Sequence, residues 1–202
     1  MSVNIIVAGV GGQGSILASH IIAEAAILAE DVNVRVGETF GAAMRGGAVA
    51  SHVRIGSDVH GPLVPRGEAD LIVALEPLEG LRIGTEYVKD GGIVVLNTEG
   101  LMPVDVKIGA AEYPEVEDIK AALEKLGGKI SVINATQLAV EAGTSKAMNI
   151  VMLGAVTASG VLPFGKDIML EAVKNRVPQK FLEANITAFR LGEEAYSNAS
   201  AG

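Results

Sequence analysis

The sequence predicts an α/β fold in which a mostly parallel sheet lies between layers of helices. Three features carry that expectation. Short Val- and Ile-rich runs, Val3–Ala8, Ala69–Leu75 and Ile93–Leu96, alternate with stretches of helical periodicity. The first run leads into Gly9-Val10-Gly11-Gly12-Gln13-Gly14, and Leu17, Ile21, Ala25 and Leu28 then return at helical steps through Ser15–Ala29. Of the 202 residues 49% are hydrophobic and only 3% aromatic, and the mean hydropathy is +0.39. Aliphatic side chains must therefore fill a sheet buried on both faces.

Gly9, Gly11 and Gly14 stand at G-x-G-x-x-G spacing between a strand and a helix, the order of a dinucleotide fingerprint, which makes the sheet Rossmann-like. Glycine lets the chain turn tightly and approach a ligand, while the helix N-terminus offers free N–H groups and a positive dipole end. Gly9, Gly11, Gly12, Gln13, Gly14 and Ser15 are the first candidate binding residues. A plain packing turn would use the same glycines, and on the motif alone the two readings weigh equally. The fingerprint also wants an acidic residue about 20 positions on, at the end of a second strand. Val32–Val36 is that strand and Glu38 the acid, so a free-standing dinucleotide-dependent dehydrogenase or nucleotide-sensing domain is one reading.

Next, Arg45-Gly46-Gly47 would suit a phosphate or carboxylate, although a solvated Arg on a loop is the simpler local reading. Ala48–Ile55 alternates as a strand, with Val49, Ser51, Val53 and Ile55 on one face and His52 and Arg54 on the other. Val59–Val64, interrupted by Pro62, reads as a short partner strand, which makes an inserted β-hairpin. Ala69–Leu75 ends at Glu76-Pro77, with a helix over 78–89, and Ile93–Leu96 ends at Asn97-Thr98. Glu76, Asn97 and Thr98 thus sit at strand C-terminal ends, where open α/β sheets hold ligands, although each also serves as an ordinary cap or turn residue. Residues 104–109 read as a short edge strand, 115–126 as a helix, 129–133 as a strand, and Asn134 as the cap of a helix over 135–142. The apolar stretch 145–160 is a central buried helix in which Asn149 needs a hydrogen-bond partner and Gly154 permits close contact. Helices over 167–176 and 179–197 complete a single domain, with the Rossmann-like sheet in 1–134 and a helical completion in 135–202.

A net charge of −8 argues against duplex nucleic acid and anionic membranes as partners. No apolar run approaches the ~18 residues of a membrane span, and no signal peptide is recognised, so a cytoplasmic location is the default. Cysteine is absent, which excludes a thiol nucleophile, zinc–thiolate sites and cysteine-held iron–sulfur clusters. His20, His52 and His60 are too dispersed for a metal site. There is no G-x-S-x-G elbow, no Walker lysine and no thiamine diphosphate motif. The chain reads as a ligand-holding or partner-holding domain.

Taken together, Gly9–Gly14, Arg45-Gly46-Gly47, Ser51–Gly56, Pro62-Leu63-Val64, Gly67–Asp70 and Leu75-Glu76-Pro77-Leu78-Glu79 resemble the gamma-type subunit of 2-oxoacid:ferredoxin oxidoreductases. Asn97-Thr98, Asn149 with Leu153-Gly154, and Asn185, Phe189 and Gly192 extend the resemblance to the C-terminus. The Leu-Glu-Pro-Leu-Glu run with Arg82 is most similar to the beta subunit of the indolepyruvate enzymes. The sequence departs from the pattern at Met44, where Gln is common, and at Thr39-Phe40, where His is expected. The resemblance implies oxidative decarboxylation of an arylpyruvate to an acyl-CoA, CO2 and reduced ferredoxin. It places thiamine diphosphate and iron–sulfur clusters on a larger partner subunit, leaves this chain inactive alone and without catalytic or metal-binding residues of its own, and allows a homodimer. It further implies that Gly11, Gly12, Gln13, Gly14 and Arg45 meet the phosphates of coenzyme A.

Overall fold

A computed structural model of the chain describes residues 2–29, 32–41 and 46–200, apart from the side chains of Asp105 and Ser200. Glu30, Asp31, Met44 and Arg45 lie outside the described residues.

The sheet has the strand order β2-β3-β1-β4-β5-β6, with β1 Val3–Val10, β2 Val34–Phe40, β3 Ala48–Ile55, β4 Ala69–Ala74, β5 Val88–Asn97 and β6 Lys129–Ile133. β1, β4, β5 and β6 run parallel, while β3 is antiparallel to both β1 and β2. β2 therefore points the same way as β1, as a strand–helix–strand crossover requires, but β3 is wedged between them.

Alternation along the strands builds two cores. Ile5, Val7, Leu71, Val73 and Val95 face one side and pack with helices α1 (Ser15–Ala29), α5 (Ala135–Glu141), α6 (Met148–Ala158), α7 (Lys166–Arg176) and α8 (Leu182–Ser200). Ile6, Ile72, Ala74, Val94 and Leu96 face the other and pack with α2 (Pro77–Tyr87) and α4 (Val116–Lys125). α6 is buried along almost its whole length. It crosses α8 where Gly154 and Gly192 let the backbones touch: a Cβ on Gly154 would stand 2.0 Å from the Phe189 carbonyl oxygen, and one on Gly192 1.9 Å from that of Val151.

The inserted hairpin is present, but its strands are β2 and β3, closed by Gly41 N–H donating to the Ala48 carbonyl at 2.8 Å. The expected strand at 59–64 is not one. Side chains of β3 serve its polar groups in place of a ladder: Val64 N–H donates to His52 Nδ1 at 3.3 Å and Arg54 donates to the Gly61 carbonyl at 3.2 Å. Pro62 lacks a donor and packs over Gly37 of β2. The expected edge strand at 104–109 is instead the single helical turn α3 (Val104–Lys107), entered from Pro103 at φ −58 and followed by Gly109 at φ 74. Val104 and Ile108 remain exposed there, so no sheet face rewarded the strand alternation.

Candidate functional site

The parallel strands deliver their C-terminal ends to one edge of the sheet, and the antiparallel β3 begins there. The glycine turn, residues 46–47, Glu76, Asn97 and Thr98 consequently share that edge.

The turn is held from within. Gln13 folds back so that its Oε1 accepts from Val10 N–H at 2.8 Å and its Nε2 donates to the Leu75 carbonyl at 3.4 Å. Its side chain thus ties β1 to the end of β4. Gly9 leaves no space for a side chain, since a Cβ there would lie 2.8 Å from Gln13 Oε1 and 3.1 Å from Ser15 Oγ. Ser15 is buried and its Oγ is sealed without a hydrogen-bond partner among the described residues. Gly11 N–H donates to the Gly47 carbonyl at 2.9 Å, joining the turn to the residue just before β3. Gly12 and Gly14 have φ 107 and φ 87, conformations costly for any residue with a Cβ. Gly12 faces open space, whereas Gly14 lies against Asn149, whose Nδ2 donates to its carbonyl at 3.3 Å.

Glu76 and Asn97 are buried and internally engaged. Glu76 caps α2, accepting from Glu79 N–H at 2.8 Å, from Leu101 N–H at 3.1 Å and from the Tyr113 hydroxyl. Burial and the Glu76 carboxylate push the Tyr113 phenol well above its ordinary pKa, so it stays a neutral donor. Asn97 donates to the Leu75 carbonyl at 3.0 Å and to Thr136 Oγ1 at 3.2 Å, and accepts from Ala135 N–H at 3.0 Å. Thr98 is half-buried, and its N–H donates to the Ile133 carbonyl at 3.0 Å.

Two hollows flank the 99–103 loop. The first, about 510 Å³, is lined by Gly12, Gln13, Gly14, Leu17, Glu99, Thr136, Ser145, Lys146 and Asn149. It sets the N-terminus of α1 opposite one cation. The second, about 380 Å³, is lined by Gly46, Gly47, Glu76, Glu79, Arg82 and Lys107. Burial raises the Glu79 carboxyl pKa, the Arg82 guanidinium 3.0 Å away opposes that shift, and Glu76 adds to it. The structure thus brings Gly12, Gln13 and Gly14 to one hollow and Gly46, Gly47 and Glu76 to the other. Gly9, Ser15 and Asn97 are packed beneath them, and Arg45 lies outside the described residues. Sequence reasoning missed Thr136, Ser145 and Lys146. A cation just before a long apolar helix was the available signal for Lys146.

Among the described residues no group of three or more His, Asp or Glu is placed to hold a metal ion. No helix among them is long and apolar enough to cross a membrane.

The pyruvate ferredoxin/flavodoxin oxidoreductase family matches residues 4–195. Indolepyruvate oxidoreductase subunit IorB of Archaeoglobus fulgidus is 41% identical over 202 residues, covering 100% of this chain and 98% of that protein. The pyruvate/ketoisovalerate oxidoreductases common subunit gamma of Pyrococcus furiosus is 32% identical, covering 93% of this chain and 92% of its own length. In solved structures the same fold occurs in the keto/oxoacid ferredoxin oxidoreductase gamma subunit of Geobacter sulfurreducens, with TM-score 0.72 and 28% identity over 98% of this chain and 99% of that one. With the resemblance read from the motifs thus met along almost its whole length, the chain belongs to the pyruvate ferredoxin/flavodoxin oxidoreductase family.

Proposed function

We propose that this chain is the thiamine-free subunit of an arylpyruvate:ferredoxin oxidoreductase, and that its glycine-turn hollow receives phosphate groups of coenzyme A. One observation carries the reading: a protein 41% identical from end to end to an indolepyruvate oxidoreductase subunit presents an open, donor-rich cleft but has no cysteine to hold a cluster. The residues suit the phosphates. Gly12 faces open space at the start of α1, and Lys146 stands across the same hollow. This chain's share of the reaction is to bind and orient the acyl acceptor. Decarboxylation and electron transfer fall to a larger subunit carrying thiamine diphosphate and iron–sulfur clusters, which passes electrons to ferredoxin.

The dinucleotide-dehydrogenase reading finds less support. Glu38 would have to meet a ribose beside the turn, yet β3 separates β2 from β1 by two strand spacings, roughly 10 Å. Glu38 instead faces His20, with 3.4 Å between Glu38 Oε1 and His20 Nε2.

Reconstitution with the larger subunit tests the proposal. CoA-dependent reduction of ferredoxin by indolepyruvate is expected only when both chains are present. Turnover by this chain alone, or failure of the two to associate, would overturn it. Tight calorimetric binding of NAD in place of CoA would favour the dehydrogenase.

A further inference from the structure

β3 ends and β4 begins at the sheet edge opposite the two hollows, and residues 56–68 join them as a strap. The strap lies over β2 and β3, where Pro62 packs on Gly37. Its grip is slight. Within 57–68 only Val59 and Val64 are buried. Arg54 donates to the Gly61 and Leu63 carbonyls at 3.2 and 3.5 Å, but both bonds are exposed.

His52 makes the strap's buried hydrogen bond. Val64 N–H donates to its Nδ1 at 3.3 Å. Nδ1 must be bare to accept, so the neutral ring carries its proton on Nε2. That N–H is sealed without a partner among the described residues, an unmet donor that an apolar side chain would have avoided. The Tyr87 ring of α2 packs against the imidazole, with 5.4 Å between centroids and an interplanar angle of 76°.

The surroundings make a charge costly there. His52 is 1% exposed. β1 sets Ile6 opposite it and β2 sets Gly37. Arg54, two places along β3, donates to Asn4 as well as to the strap carbonyls. Arg35 on β2 is exposed, as are Asp58, His60, Arg66 and Glu68 of the strap. Glu86 of α2 pairs with Arg66 at 3.5 Å. Burial alone, with no charged group taking part, holds the His52 pKa below its ordinary value of 6.5.

We propose that His52 is a latch opened by protonation: the neutral ring holds Val64 and with it the 57–67 strap, and the protonated ring turns a second donor on that N–H and lets the strap go. A histidine whose pKa is depressed by folding favours the closed form fully above 6.5, and that preference is lost as pH falls through the folded value. The strap is rooted at the far edge of the sheet, so its release leaves the hollows in place.

Hydrogen exchange of the full chain tests the latch, followed between about pH 8 and pH 5 and corrected for the intrinsic rate. Opening of the 57–67 peptide should rise by up to about tenfold for each pH unit below 6.5 until the folded pKa is reached. The β4 peptide should show no such rise. His52→Asn puts an amide oxygen in the place of Nδ1 and cannot titrate, so its strap should exchange at one pH-independent opening constant. A flat profile in the unaltered chain, or the same rise in His52→Asn, would overturn the proposal, the second by assigning the effect to another group such as the exposed His60. Should His52→Asn fail to fold, the imidazole resonances of the unaltered chain decide. A His52 midpoint below 6.5 that coincides with strap opening supports the latch, and one at or above 6.5, or one unmatched by opening, overturns it.

Discussion

At the N-terminal turn and at the α6–α8 crossing, glycine solves opposite problems. Gly154 and Gly192 are bare because a neighbouring backbone already occupies the place of a side chain. Gly12 is bare with no described residue within 4 Å of the place of a Cβ, in a conformation that a Cβ would strain. Gly14 stands between these cases, having both positive φ and a close neighbour, Asn149. Filled glycines mark where the protein touches itself, and open ones mark where something else can touch it.

Four measurements bear on that contrast. Gly154→Ala or Gly192→Ala should have the largest effect, because a methyl about 2 Å from a carbonyl oxygen forces the helices apart. A loss of about 3 kcal/mol or more is expected in denaturant melts, and near-wild-type stability would show that the crossing has slack. Gly14→Ala comes next: positive φ and a Cβ 2.5 Å from Asn149 Nδ2 should cost about 2 kcal/mol. An unchanged melt would place Asn149 elsewhere in solution. Gly12→Ala should cost only about 1 kcal/mol, from backbone strain alone, while raising the KM for CoA in the assembled enzyme. An undiminished KM would make the open glycine a bystander.

The smallest effect concerns the clamp between α1 and α7. Glu24 on α1 accepts hydrogen bonds from Arg176 and Asn175 at the end of α7. The Arg176 hydrogen bond, aided by Asn175, lowers the Glu24 pKa below its ordinary value of 4.5 against an opposing push from burial. A depressed carboxylate pKa stabilises the fold above the unfolded value and loses that contribution as pH falls through the folded value. Glu24→Gln should therefore melt earlier than wild type at neutral pH and coincide with it in acid. Solvent screening of the half-exposed Arg176 keeps the difference below about 1 kcal/mol. A gap that persists unchanged in acid would assign the effect to shape rather than charge.

Much of this was legible from residue order. Strand β1, the glycine turn and α1 follow from a buried apolar run, three spaced glycines and helical periodicity. The need of Asn149 for a partner was also visible, though not that the partner would be the turn itself. The pairing of β3 was not legible, since alternation fixes which residues share a face but not which neighbour a strand takes. The segment 59–64 misled because its apolar residues are buried individually, Val59 and Val64, without forming a ladder. Glu76 and Asn97 were placed correctly at strand ends, but sequence could not reveal that Tyr113 and Thr136, remote in the chain, would occupy their polar atoms. The second wall of the hollow, at Ser145 and Lys146, arrives from far along the chain, and its one local sign is the cation that precedes the apolar helix α6.

Asn97 has a consequence for how the cleft behaves. Its one carboxamide fastens the exit of β4 through Leu75, the start of the 99–103 loop through Glu99 and the entry to α5 through Ala135 and Thr136. Three segments that would otherwise wander separately share a single rivet. A ligand bound as proposed would therefore meet a rim that is already set, and little of its affinity would be spent on stilling the host.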